Sequence, residues 1–157
     1  MILYLDFDGV LHDEDVIWSR GRGIHMRTPN RVLFEWEPIL VDLLEPHPHV
    51  RIVLSTSWVR VKSFNYAKYR LSLPLRNRII GATFHRGLMN ADAFARMPRC
   101  LQIWEDVLRR KPEHWFALDD DGSSWPAWCR DKLILTDERL GLSCPTVQEQ
   151  IRQRLAA

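Results

Sequence analysis

Five short apolar runs, each stopped by polar or acidic residues, constrain this chain more than any other feature. They are Ile2–Leu5, Val50–Leu54, Arg78–Thr83, His114–Leu118 and Lys132–Thr136. Short β-favouring runs without polar alternation read as strands buried on both faces of a parallel sheet. Stretches of helical spacing lie between them. Pro38 opens a predicted helix through Leu44, with Ile39, Leu40, Leu43 and Leu44 on one face. A second helix is expected around Phe64–Leu71. A third is expected from Pro98 to about Arg110, with Leu101, Trp104, Val107 and Leu108 turned inward. The last runs over Thr146–Leu155, with Thr146 as the cap of a capping box ending at Glu149. Strands that alternate with helices predict a parallel sheet covered on both faces. Residues 13–35 break the alternation. They carry Gly21, Gly23 and Pro29, with a hairpin expected between Val16–Trp18 and Arg31–Phe34.

The chain has 157 residues, 46% of them hydrophobic and 27% charged, which suits one domain with one sizeable core and excludes a disordered chain. The single expected domain spans residues 1–157, with a flap insert at about 13–35. Basic and acidic residues number 22 and 20, so bulk charge does not advertise a nucleic-acid protein. Cys100, Cys129 and Cys144 form no CxxC pair, which argues against a zinc site or a disulfide framework. The start MILYLDFDGV is unlike a signal peptide, and no apolar run nears the roughly 20 residues that span a bilayer. A cytoplasmic protein with no membrane association is expected. No obligate protein partner is evident.

In an open α/β sheet, ligands bind beyond the carboxyl ends of the strands. The first strand delivers Asp6 and Asp8 there, the second Ser55, Thr56 and Ser57, and the fourth Asp119, Asp120 and Asp121. Acid clusters converging on one edge repel each other unless a cation sits between them. An all-oxygen, carboxylate-rich site prefers Mg2+ to zinc or copper. A carboxylate at a strand end can also attack phosphorus. Gly9, next to Asp8, lets the backbone turn sharply and aim amides at a phosphoryl group.

The run Asp6-Phe7-Asp8-Gly9-Val10-Leu11 resembles the first motif of the haloacid dehalogenase (HAD) superfamily of phosphatases. Ser55 after VRIVL is similar to the second motif, and Asp119-Asp120 after WFAL to the acidic fourth. The combination of DFDGVLH, LSTSW, RIIGAT, WFALDDD and LILTD resembles a subgroup that also occurs as a phosphatase domain in RNA-repair proteins. The resemblance implies a Rossmann-like three-layer α/β/α sandwich with a mainly parallel five-stranded sheet, a minimal flap and no large cap. It implies that Asp6 attacks phosphorus to form an aspartyl-phosphate and that Asp8 is the acid, then the base. It also implies Mg2+ held by Asp6, the Asp8 backbone carbonyl and Asp119 or Asp120, and a hydrogen bond from Ser55 to a phosphoryl oxygen. Gly9 and Thr56 join the phosphate-binding set. The superfamily's phosphoryl-binding cation is usually a lysine, and none stands in the expected place here. Arg99 is the first candidate, with Lys62 and Arg60 as alternatives.

A site without a large cap is open, so the expected substrate is a phosphomonoester as large as a nucleotide or a nucleic-acid end. A small-metabolite or phosphoprotein phosphatase, or an idle module that binds Mg2+ or phosphate, are the alternatives. Arg20, Arg22, Arg27 and Arg31 in the flap could contact phosphates, and Trp18, Trp58, Trp125 and Trp128 could stack bases. The competing reading is a solvated basic loop with tryptophans in the core. His12 and His25 are either substrate contacts or incidental loop residues.

Overall fold

A computed structural model describes residues 1–157. The sheet strands are β1 (Ile2–Leu5), β4 (Arg51–Leu54), β5 (Ile79–Ala82), β6 (Trp115–Asp119) and β7 (Leu133–Leu135), and a hairpin is formed by β2 (Val16–Ser19) and β3 (Gly23–Met26). The helices are α1 (Glu37–Leu44), α2 (Ser57–Val61), α3 (Phe64–Arg70), α4 (Leu73–Arg76), α5 (Ala91–Arg96), α6 (Arg99–Arg110) and α7 (Pro145–Ala156). The five sheet strands are all parallel, in the order β5-β4-β1-β6-β7.

Strand alternation splits the core in two. Leu3, Leu5, Ile52, Leu54, Phe116 and Leu118 point to one face, where Leu40 and Leu44 of α1, Ala67 of α3 and Ile151 and Leu155 of α7 cover them. Tyr4, Val53, Trp115 and Ala117 point to the other and meet Cys100, Ile103 and Val107 of α6. This is the three-layer α/β/α arrangement. Burying one such large apolar side chain contributes about 1.5–3 kcal/mol.

Three expectations need correction. The hairpin partner of Val16–Ser19 is Gly23–Met26, because the glycines at 21 and 23 adopt positive φ and close the turn early. Arg31 and Val32 are irregular instead, and Leu33–Trp36 form a turn. On α6 Val107 faces inward as expected, but beside Cys100 and Ile103, while Leu101 and Leu108 are exposed. Two apolar stripes lie side by side on this helix, and fully buried Asp106 decides between them. It accepts a hydrogen bond from Tyr4 Oη at 3.0 Å and pairs with Arg109 and Arg110. On α7 the helix begins one residue early, with Cys144 at the cap and Pro145 in the first turn. Thr146 is therefore inside the helix and caps nothing.

Register aligns the strand ends that matter. Leu5 pairs with Leu54 on one side and with Leu118 on the other. The next residues, Asp6, Ser55 and Asp119, therefore stand in a row along the carboxyl edge. The Ser55 amide donates to the Leu5 carbonyl at 2.9 Å and the Asp6 amide to the Leu118 carbonyl at 3.1 Å.

Candidate active site

Asp6 is buried at the tip of β1. Its Oδ1 accepts from the Phe7 amide at 2.8 Å, and its Oδ2 accepts from the Arg99 guanidinium at 2.8 Å. Arg99 is placed by the start of α6 and works as a three-way clamp. It also donates to the Ser55 carbonyl, and its Nε lies 3.1 Å from Asp119 Oδ2. This contact is an ion pair and not a hydrogen bond, and Asp119 Oδ2 is a buried oxygen without a donor. The Ser55 hydroxyl, on the other side of β1, is also buried and unpartnered. Buried polar atoms without partners are rare enough to ask what satisfies them.

Oxygen atoms of Asp6, Asp119 and Asp120 lie within 4.8 Å of one another. Burial pushes all three pKa values up. Repulsion from the Asp6 charge adds to this for Asp119 and Asp120, and Arg99 opposes it. Asp120 is pushed up to about 7. Arg99 feels the converse. Burial alone would lower its pKa, but Asp6, Asp119, Asp120 and Asp121 more than reverse that. The donor set is all oxygen, carries excess negative charge and includes the orphaned Asp119 Oδ2. It fits a hard divalent cation such as Mg2+. Asp121 is outside the cluster. Its carboxylate accepts from the Ser123 amide and hydroxyl at 3.0 and 2.6 Å, and those bonds hold its pKa down.

Asp8 is not part of the three-acid cluster, and its charge repels that of Asp6. Trp58 Nε1 donates to both of its oxygens at 3.1 Å, and His12 Nε2 lies 2.9 Å from Oδ1. The His12 Nδ1 accepts from the Phe34 amide at 3.2 Å, so the proton of the neutral ring sits on Nε2 and points at Asp8. Phe34 adopts φ 61°, a strained conformation for a non-glycine residue. Edge contacts to Phe7, His12 and Trp58, with ring centroids 5.0–5.5 Å apart, hold it there. His12 is fully buried and Trp58 nearly so. Trp58 thus follows the reading of tryptophans in the core, whereas His12, buried against Asp8, is neither the substrate contact nor the incidental loop residue expected. Trp125 is buried as well, while Trp18 and Trp128 are exposed. No local pattern could reveal the Asp8 contacts of Trp58, which lies 50 residues away. His12, four residues from Asp8, was open to suspicion from spacing alone.

Gly9 takes φ +68°, and a Cβ there would stand 2.3 Å from Asp120 Oδ2. Only glycine lets the first loop pass so close to the acid after β6. Thr136 at the end of β7 holds that loop by donating from Oγ1 to the Gly9 carbonyl at 2.7 Å. Thr56 caps α2 by accepting from the Trp58 amide at 3.3 Å, and its hydroxyl is a minor influence that lowers the Asp6 pKa. Lys62 is not at the acids: its Nζ sits 5.1 Å over the Trp18 ring and ties the hairpin to the end of α2. Arg60 lines a cavity that Arg99 also lines, with no contact to Asp6.

The fold and the row of acids at its carboxyl edge are those of a HAD domain, within a superfamily of hydrolases and phosphatases. More narrowly, the family described as "HAD domain in Swiss Army Knife RNA repair proteins" matches residues 2–147, and the chain belongs to it. Searches of curated proteins and of solved structures returned no match. No helix is long and apolar enough to cross a membrane.

The three raised carboxylates carry a stability signature. Their folded pKa values lie above the ordinary 3.8, up to about 7 for Asp120. Between about pH 4 and pH 7 the folded chain therefore holds more protons than the unfolded chain, and stability falls as pH rises. The Tm of the metal-free protein should be higher at pH 5 than at pH 8. Added Mg2+ should raise it more at pH 8. A metal-free Tm that climbs between these two pH values would contradict the assignment.

Proposed function

We propose that this chain is a Mg2+-dependent phosphomonoesterase that acts through an aspartyl-phosphate on Asp6. The observation that carries it is the Asp6 carboxylate, buried at a strand tip and clamped by the Phe7 amide and Arg99 beside an unpartnered Ser55 hydroxyl. An oxygen of Asp6 attacks phosphorus in line, and the bond to the leaving oxygen breaks as Asp8 gives that oxygen its proton. Asp8 then takes a proton from water, which attacks the acyl-phosphate, releases inorganic phosphate and restores Asp6. Ser55 donates to a phosphoryl oxygen, and Arg99 offsets the negative charge that gathers there. Asp6, Asp119, Asp120 and the Asp8 backbone carbonyl hold the Mg2+. Bound there, the cation offsets the repulsion between nucleophile and phosphoryl group.

His12 and Trp58 act on the reaction by orienting Asp8. Trp58→Phe keeps the aromatic packing and removes the indole donor. It should lower kcat about 10- to 100-fold with little change in KM, the usual cost of losing an orienting partner. An unchanged kcat would show that Asp8 needs no such support.

The substrate class that best fits is a nucleotide or a nucleic-acid end. The family description names RNA-repair proteins. The hairpin beside the site also presents exposed Arg20, Arg22 and Trp18. Hydrolysis of an aryl phosphate with Mg2+, with excess chelator and with Mg2+ restored tests the reaction. Turnover should vanish and return. A protein that binds phosphate but never turns it over would be an idle binding module instead.

A further inference from the structure

A polar cavity of about 400 Å3 opens beside Arg99 and is lined by Arg60, Arg96, Ser57, Ser123 and Asp121, among others. Its volume is within the range of ligand sites. Arg99 is committed to Asp6 and Asp119. Arg60 and Arg96 form no ion pair and no side-chain hydrogen bond. Two free guanidinium groups lining one cavity repel each other unless an anion joins them. The single acid there, Asp121, already spends an oxygen on Ser123.

Both arginines are carried on braced elements. Arg86 donates to the Arg60 and Lys62 carbonyls at 3.3 and 2.7 Å, which fixes the end of α2. Buried Gln102 of α6 donates to the Phe94 and Met97 carbonyls at 2.9 and 3.0 Å, which docks the end of α5 that bears Arg96. In addition, α6 starts at Arg99 with no side-chain cap, so the positive end of its dipole opens near this cavity. Few apolar side chains line the cavity, so it suits a hydrated anion better than a base.

We propose that this cavity is a second phosphate subsite, which takes the phosphodiester next to the terminal phosphate that Asp6 attacks. It rests on the phosphatase reading and deepens it, because it makes a nucleic-acid end a better substrate than a mononucleotide. The shared chemistry, two linked phosphates, also occurs in small bisphosphates, and the substrate arms separate these sources.

The test compares kcat/KM for an aryl phosphate, nucleoside monophosphates, a nucleoside bisphosphate and short oligonucleotides phosphorylated at either end. It uses the wild type, Arg96→Ala and Arg60→Ala/Arg96→Ala. A phosphorylated oligonucleotide should surpass the monophosphate by at least about tenfold, since each charge-assisted contact is worth roughly that factor. The variants should lose about tenfold per arginine on the oligonucleotide, through KM, and at least tenfold less on the aryl phosphate. The salt dependence of oligonucleotide binding should flatten by about 0.7 in log–log slope per contact removed. Equal losses on all substrates, or an unchanged oligonucleotide advantage, overturn the subsite. A bisphosphate that matches the oligonucleotide overturns the nucleic-acid assignment. If the wild type hydrolyses nothing, the phosphatase reading fails by itself. Binding of a phosphorylated oligonucleotide to Asp6→Asn, read by fluorescence anisotropy with and without the two arginine changes, then decides the subsite separately.

Discussion

Asp6→Asn should lower phosphomonoester turnover by at least about 10^3-fold, the scale on which removal of a nucleophile acts, while the fold survives. Asparagine has the shape of aspartate, so its Oδ1 can still accept from the Phe7 amide, which now lies 2.8 Å from the carboxylate. Its amide nitrogen then faces the Arg99 guanidinium, donor to donor, and one ion pair is lost. Against that loss, the mutual repulsion that raises Asp119 and Asp120 falls away. The two changes oppose each other, so the metal-free Tm should move by only a few degrees, roughly 1–2 kcal/mol in stability terms. Two measurements make the test specific. In the wild type, rapid acid quench during turnover should leave a phosphoryl group on the peptide that contains Asp6. In the variant that mass should be missing. Turnover within tenfold of wild type, or a phosphoryl group trapped on another residue, would sink the role given to Asp6.

How much of this could be read in the sequence depends on how local its cause is. The five strands were legible because each is a short apolar run closed off by polar residues, as Ile2–Leu5 is by Asp6 and as β6 is by Asp119, its last residue. The parallel sheet followed, and with it the convergence of Asp6, Ser55 and Asp119 on one edge, which register then fixed. The face of α6 was not legible. Leu101, Trp104 and Leu108 are as apolar as the stripe that is buried, and the choice turns on Asp106 meeting Tyr4 across 102 residues. The pairing of the hairpin was decided by glycine conformations at 21 and 23, and not by apolar content. The cage around Asp8 was the deepest omission. Phe34, Trp58 and His12 come from three parts of the chain. Only a folded structure shows that a strained Phe34 amide sets the His12 tautomer.

The second large effect concerns Arg99. The resemblance to the superfamily offered three cations for the phosphoryl group, and only one of them lies at Asp6. Lys62 is spent on Trp18, Arg60 lines the neighbouring cavity, and Arg99 alone touches Asp6. Arg99→Met removes a cation that is mostly buried and paired with two buried carboxylates. Removing one partner of such a pair costs about 3 kcal/mol or more because the remaining charge is left uncompensated. At about 2–4 °C per kcal/mol for a chain of this size, the metal-free Tm should fall by roughly 6–12 °C. The fall should be smaller at pH 5 than at pH 8, since protonating Asp6 and Asp119 removes the need for a partner. Turnover should drop by about 10^2- to 10^3-fold, as when a donor aimed at developing charge is lost. Arg99→Lys is the sharper probe. It keeps one positive charge but not the planar fork that reaches Asp6, the Ser55 carbonyl and Asp119 together. If charge alone matters, lysine restores both Tm and turnover. If the clamp matters, lysine restores most of the Tm and leaves kcat at least tenfold low. A methionine variant with wild-type Tm and turnover within tenfold would remove Arg99 from the site altogether.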